Sequence, residues 1–261
     1  MLNNYLFITY QGIVILFLVF LRVSSIMFFV PIFGQSPLPR RIKIAIYFVI
    51  SLAIYPVVKK YYLNFPLNNL GFLFYAGIFE VFVGTVIGFV SLFLFATVLF
   101  AGEQIGFNMS FGMVKSIDPT HGLNLTVISQ FQNIFTYLIF LCSPAYTKFL
   151  EILIKSFFNI NLNSHINIGG LSHFLVDLSN KMFIYGVELA LPIIILAIVI
   201  NLVLAVLNRM VSGLNVFLMS LNLRIGLGII VFIAFLPIFF KLILKIIEVT
   251  FKALERVFVV I

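Results

Sequence analysis

Between residues 71 and 101 the chain carries one charge, Glu80, in a run that is otherwise apolar or small. As helix this run would be about 45 Å long, where roughly 20 residues and 30 Å suffice to cross hydrocarbon. It must tilt, kink, protrude or lie partly outside lipid. Strand is not expected, because an isolated lipid-exposed strand cannot satisfy its backbone N–H and C=O groups. Further apolar runs occupy residues 12–33, 42–58, 127–142, 182–208 and 225–240. The predicted fold class is therefore all-α and polytopic, of integral-membrane type, with about six hydrophobic helical segments in hairpins and one domain over residues 1–261.

Composition narrows the function classes. Only 9% of residues are charged and 63% are apolar, with a mean hydropathy of +1.23. A water-soluble domain carries about 25% charged residues, so that class is excluded. The net charge of +8 is spread over segment ends. That distribution suits membrane lipids with anionic headgroups and makes a nucleic-acid partner unexpected. There are 33 Phe and no Trp, so the aromatic-belt role falls to Tyr5, Tyr10, Tyr47, Tyr55, Tyr61 and Tyr62. Cys142, the one cysteine, reads as a buried small hydrophobe.

Punctuation between the runs sets the expected organisation. The opening MLNNYLF has no Lys or Arg and no small-residue cleavage pattern, and is expected to be retained. Two prolines and a glycine make residues 34–41 a turn. Residues 102–122 form a Gly-spotted polar stretch. Ser143 and Pro144 end the fourth run, an amphipathic portion follows to Phe158, residues 159–180 read as loop, and residues 241–261 read as a basic amphipathic tail. With both ends on the cytoplasmic side, Lys59, Lys60, Lys148, Lys155, Lys181 and the tail cations fall inside, while Arg40, Arg41, Lys43, Lys115, Arg209 and Arg224 fall outside. So even a split gives no clear orientation and hints at unconventional insertion.

Few residues could carry function. Arg22, Glu80 and Glu188 lie within apolar runs, where an unpaired charge costs several kcal/mol, so Arg22 is expected to pair with Glu80 or Glu188. Pro192 cannot donate to the carbonyl of Glu188, which predicts a kink beside a carboxylate. Asn201 and Asn208 share a helix face and suit cross-helix bonding. Gly84-xxx-Gly88 and Gly102-xxx-Gly106 permit close helix approach. Glu103, Gln104, Asn108 and Ser110 accompany the second, which reads either as an inter-subunit or pore-lining element or as a Gly-rich bend. No phosphate loop, HExxH, GxSxG or CxxC occurs, and His121, His165 and His173 have no ligand-spaced neighbours. No enzyme activity, cofactor or metal is expected.

Three blocks carry a resemblance. RVSSIMFFVPIFGQSPLPRRIKIAI at 22–46, AGEQIGFNMSFGMVKSIDPTHGLNLTVISQF at 101–131 and ALPIIILAIVINLVLAVLNRM at 190–210 stand in the order found in the FliR family of flagellar and type III secretion export-apparatus proteins. The second block is the most characteristic, with Ala101-Gly102-Glu103 and Asp118-Pro119, and it resembles the flagellar branch. The chain departs from the family at Asn208-Arg209-Met210-Val211-Ser212-Gly213, which lacks a proline, at Ser220-Leu221-Asn222, and at Ser143-Pro144-Ala145.

The resemblance implies a fold like a FliP-like part fused to a FliQ-like part. It also implies a single copy joined to several FliP-like and FliQ-like subunits, an FlhB-like protein and the basal-body ring, in the bacterial inner membrane. The assembled core would lie largely outside the lipid plane and pass unfolded polypeptides. By the same resemblance residues 102–118 border the constriction, where Met109, Phe111 and Met113 would furnish a deformable apolar gasket. Two other readings stand beside it: a small secondary transporter using Glu188 and Pro192, and a membrane scaffold without an aperture.

Overall fold

In a computed structural model the described residues are 10–34, 39–63, 65–66, 69–112, 125–164, 166–210 and 216–260, the side chains of 216–218 excepted. They contain no strand. Eight helices follow one another among them: α1 Tyr10–Phe29, α2 Pro31–Gly34, α3 Arg40–Tyr62, α4 Leu70–Asn108, α5 Val127–Cys142, α6 Ala145–Asn159, α7 Ile168–Met210 and α8 Val216–Val260. Five are long and apolar enough to cross a membrane, and α5 with α6, bent by 73° at Ser143–Pro144, makes a sixth if counted as one span. The six expected segments map onto these.

Several boundaries differ from expectation. The stretch after residue 101 stays helical to Asn108, because Gly102 and Gly106 are points where another helix lies close and do not break α4. The interval read as loop enters helix at Ile168. Asn167 caps that end, its Oδ1 accepting the Gly170 N–H at 2.9 Å, and Leu171, Phe174 and Leu178 bury one face. The supposed tail is continuous with the last span through Pro237. Cys142 is exposed, since the outer face of α5 is its apolar one.

The chain divides into two compact units. One holds Met1–Phe93, Pro144–Leu178 and Thr250–Ile261, and the other Leu94–Ser143 and Ser179–Val249, so α4, α7 and α8 each contribute to both. In the first unit α1 runs parallel to the start of α4. Arg22 meets Glu80, Ser25 meets Gly84, and Ile26 and Phe29 meet Gly88. A Cβ on Gly84 would come within 2.8 Å of the Arg22 carbonyl oxygen, so the helices touch backbone to backbone there. The α3 helix packs beside α1, with Phe20 edge-on to Phe48 at 6.2 Å. In the second unit α5 lies on Gly102, where a Cβ would sit 2.6 Å from Ser129 Cα. Further apolar contacts there come from Phe131 on Phe232 and Phe135 on Phe239.

Candidate functional site

The first unit is built around Arg22, which is 1% exposed in the middle of α1. Its Nε donates to Glu80 Oε2, its Nη1 to the Ser156 carbonyl at 2.7 Å, and its Nη2 to the Ile160 carbonyl at 3.1 Å. The guanidinium also lies 4.4 Å from the centre of the Phe157 ring. Tyr62 Oη donates to the other carboxylate oxygen, Glu80 Oε1, at 2.5 Å. One cation therefore answers a buried carboxylate and the last carbonyls of α6, the negative end of that helix dipole. Such a centre clamps α1, α3, α4 and α6 together. Each carboxylate oxygen already holds a donor, so the arrangement suits fixing helices in place better than passing ions.

In the second unit, Glu103 and the glycines serve the junction of α4 with α5. Glu103 Oε1 accepts the Thr126 N–H at 2.8 Å, and Thr126 Oγ1 caps α5 by accepting the Ser129 N–H at 3.3 Å. Thr126 sits on Gly106, where a Cβ would come 2.6 Å from Thr126 Cβ. The α4 helix then ends in a Schellman turn. Phe111 N–H reaches back to the Gly106 carbonyl at 2.9 Å and Ser110 N–H to the Phe107 carbonyl at 3.0 Å, with Ser110 at φ 68°.

That turn aims Met109 inward. It is fully buried against Ile105, Ala190, Ile193 and Phe232, and Phe111 packs partly buried on the same cluster. A Cβ on Gly228 would come 2.8 Å from Met109 Cγ, so the glycine makes room for the methionine. Met113 and Asp118 lie outside the described residues.

The remaining predicted residues sit on α7. Glu188 is 41% exposed and pairs with Lys245 at 3.4 Å, the ammonium also lying 5.2 Å from the Tyr185 ring centre. Pro192 lies inside the helix one turn further on. Asn201 accepts a hydrogen bond from Arg224 of α8, while Asn208 and Arg209 are exposed in the last turn. Among the described residues no three His, Cys, Asp or Glu side chains converge.

Sequence reasoning missed Thr126, Lys245 and Gln132, and it gave Tyr62 to an aromatic belt although the residue is buried against Glu80. Gln132 is wholly buried with neither side-chain Oε1 nor Nε2 hydrogen bonded, which costs about 1–3 kcal/mol for each group left unpaired. The signal available in the sequence was the polar recurrence Ser129, Gln132, Asn133, Thr136 within an otherwise apolar segment.

Comparison with known proteins agrees with this architecture. Residues 13–250 match the family described as bacterial export proteins, family 1. The flagellar biosynthetic protein FliR of Pectobacterium carotovorum subsp. carotovorum is 30% identical over 223 residues, covering 84% of this chain and 83% of its own. The protein of the same name from Escherichia coli strain K12 is 28% identical over 84% of this chain and 82% of its own, and that from Bacillus subtilis strain 168 is 25% identical over 92% of each.

Proposed function

The chain belongs to the FliR family of bacterial export proteins, and from that premise we propose that it is the single-copy core subunit of a flagellar type III export gate, shaping and nucleating a channel with FliP-like and FliQ-like subunits. It is a membrane protein and a structural component of the flagellar export apparatus, located in the inner membrane. Unfolded polypeptides are the proposed cargo.

One observation carries the channel-subunit reading. From Phe183 to Val206 the outward side chains of α7 are exposed and, Glu188 and Asn201 apart, apolar, among them Ile184, Ile195, Leu202 and Val203. That stripe is about 35 Å long, about the thickness of a hydrocarbon layer. So much apolar surface must be covered by lipid or by neighbouring apolar helices, and membership of an export-protein family favours helices. The α8 helix has the same need, with only 22% of its most apolar window buried within the chain.

The gate itself is assigned to the end of α4. Met109 and Phe111 hold against Ile193, Phe232 and their neighbours by dispersion and burial alone, contacts that separate and re-form without breaking a covalent or ionic link. The solute-carrier reading depends on Glu188 beside Pro192, and Lys245 already engages that carboxylate at the surface.

Co-expression with FliP-like and FliQ-like partners tests the proposal. The expected result is a detergent-stable complex containing one copy of this chain, in which a stalled cargo crosslinks at Met109, Phe111 or Met113. In the same complex, changing those three residues to Ala raises ion leakage and leaves assembly intact. A chain that stays alone and moves a small solute into vesicles overturns it.

A further inference from the structure

Within the second unit α5 is built inside out. Ser129, Gln132, Asn133 and Thr136 recur at the spacing of one helix face, and that face is turned inward, with Ser129, Gln132 and Thr136 fully buried. The opposite face is apolar and exposed, through Val127, Phe131, Ile134 and Leu138. The hydroxyls of the inner face find partners. Ser129 Oγ donates to the Leu99 carbonyl at 3.4 Å and Thr136 Oγ1 to the Gln132 carbonyl at 2.8 Å.

The Gln132 carboxamide does not, and Asn133 pairs with Tyr137 but leaves its oxygen over. Gln132 Oε1, Gln132 Nε2 and Asn133 Oδ1 are buried without a hydrogen-bond partner. Gly102 leaves the space that Gln132 fills, since a Cβ there would lie 2.8 Å from its Oε1. A Leu or Met of similar length would occupy that space with no polar group to satisfy. Packing between α4 and α5 is thus no reason for a carboxamide at this position.

We infer that the inner face of α5 is a concealed binding surface for the main chain of an unfolded polypeptide, reached when α5 turns away from α4. The inference rests on the export role proposed above and names the group that touches the cargo. A carboxamide presents an acceptor and donors of the same kind as a peptide unit, so Gln132 and Asn133 can pair with the N–H and C=O of an extended chain and ignore its side chains. A conduit serving many sequences needs that indifference. It also needs neutrality, and none of these four side chains carries a charge. In the turned-in arrangement the unpaired amides raise the free energy, and a passing backbone removes that cost. The cargo thereby favours the turned-out state through its own contacts, as population shift requires.

The test uses the whole complex in membranes, with Cys142→Ser so that a single introduced thiol reports. Gln132→Cys is exposed to a water-soluble maleimide, with and without a cargo polypeptide stalled by a fused folded domain. The thiol is expected to be protected in the idle complex and to react roughly tenfold faster or more with cargo stalled, as when a state populated at about 10% or less becomes the main one. Ile134→Cys, on the outer face, should show no such rise. Gln132→Leu is expected to raise the melting midpoint of the complex and lower export severalfold.

A Gln132→Cys thiol that stays protected while cargo is demonstrably held in the complex overturns the inference and leaves the export role standing. Export unchanged in a stabilised Gln132→Leu complex overturns it equally. If no complex containing the chain retains cargo at all, the export role falls and takes the inference with it.

Discussion

Arg22 shows how one side chain decides a tertiary arrangement. Its planar fork reaches a carboxylate and two carbonyls at once, a geometry the compact ammonium of a lysine cannot span. The pair with Glu80 is fully buried, so its worth lies in mutual dependence more than in net attraction. Arg22→Met leaves the Glu80 carboxylate buried with Tyr62 alone, and should cost about 3–5 kcal/mol. Adding Glu80→Leu removes the stranded charge and should recover part of that loss. Thermal melting of the purified complex checks the order; a single variant no less stable than the double would show that the charge is not stranded. Ser110 is the opposite case, a local strain with a simple remedy. A serine at φ 68° stands where helix ends prefer glycine, so Ser110→Gly should stabilise by about 1 kcal/mol, read as a higher melting midpoint.

At the scale of elements, glycines separate contact from mere composition. At Gly84 an added Cβ would strike the Ser25 Cβ at 2.7 Å and the Arg22 carbonyl at 2.8 Å, and backbone cannot yield cheaply. At Gly226, inside α8, a Cβ would meet nothing within 4 Å. Gly84→Ala should therefore destabilise by about 1–3 kcal/mol, whereas Gly226→Ala should gain up to about 1 kcal/mol from helix propensity. Opposite shifts of the melting midpoint are the expected result, and equal shifts would refute the parallel α1–α4 contact. The cores of the helices were legible because long apolar runs admit no other structure. Their ends were not. Gly102 and Gly106 look like breaks until the helix that uses them is known, and the first turns of α7 hide Leu171, Phe174 and Leu178 among Asn, Gly and Ser. The choice of Glu80 as the partner of Arg22 needed the register of α1 against α4, which no local pattern contains. Cys142 was misread because the polarity of α5 is reversed, and burial was assigned to its apolar face.

For the whole molecule, the decisive quantity is how much apolar surface the chain leaves uncovered. The α7 and α8 helices are about 65 and 68 Å long at their 43 and 45 residues, more than twice a hydrocarbon layer. Their outward residues are mainly apolar from Phe183 to Val206 on α7 and from Leu227 to Phe240 on α8, where Lys241, Lys245, Glu248 and Lys252 then take the outer face. Lipid tails or sister helices must cover these stretches. Ile230 and Ile233, 64% and 60% exposed on α8, isolate the point. Changing both to Ser alters mainly uncovered surface, so the melting midpoint and helix content of the isolated protein in detergent should barely move, within about 0.5 kcal/mol. If partner helices pack on that face, the same variant should lose its place in the complex, seen as a fall in co-purified FliP-like and FliQ-like subunits. If lipid tails cover the face, the complex should form at full mass and yield, and the argument from uncovered surface would lose its footing at that position.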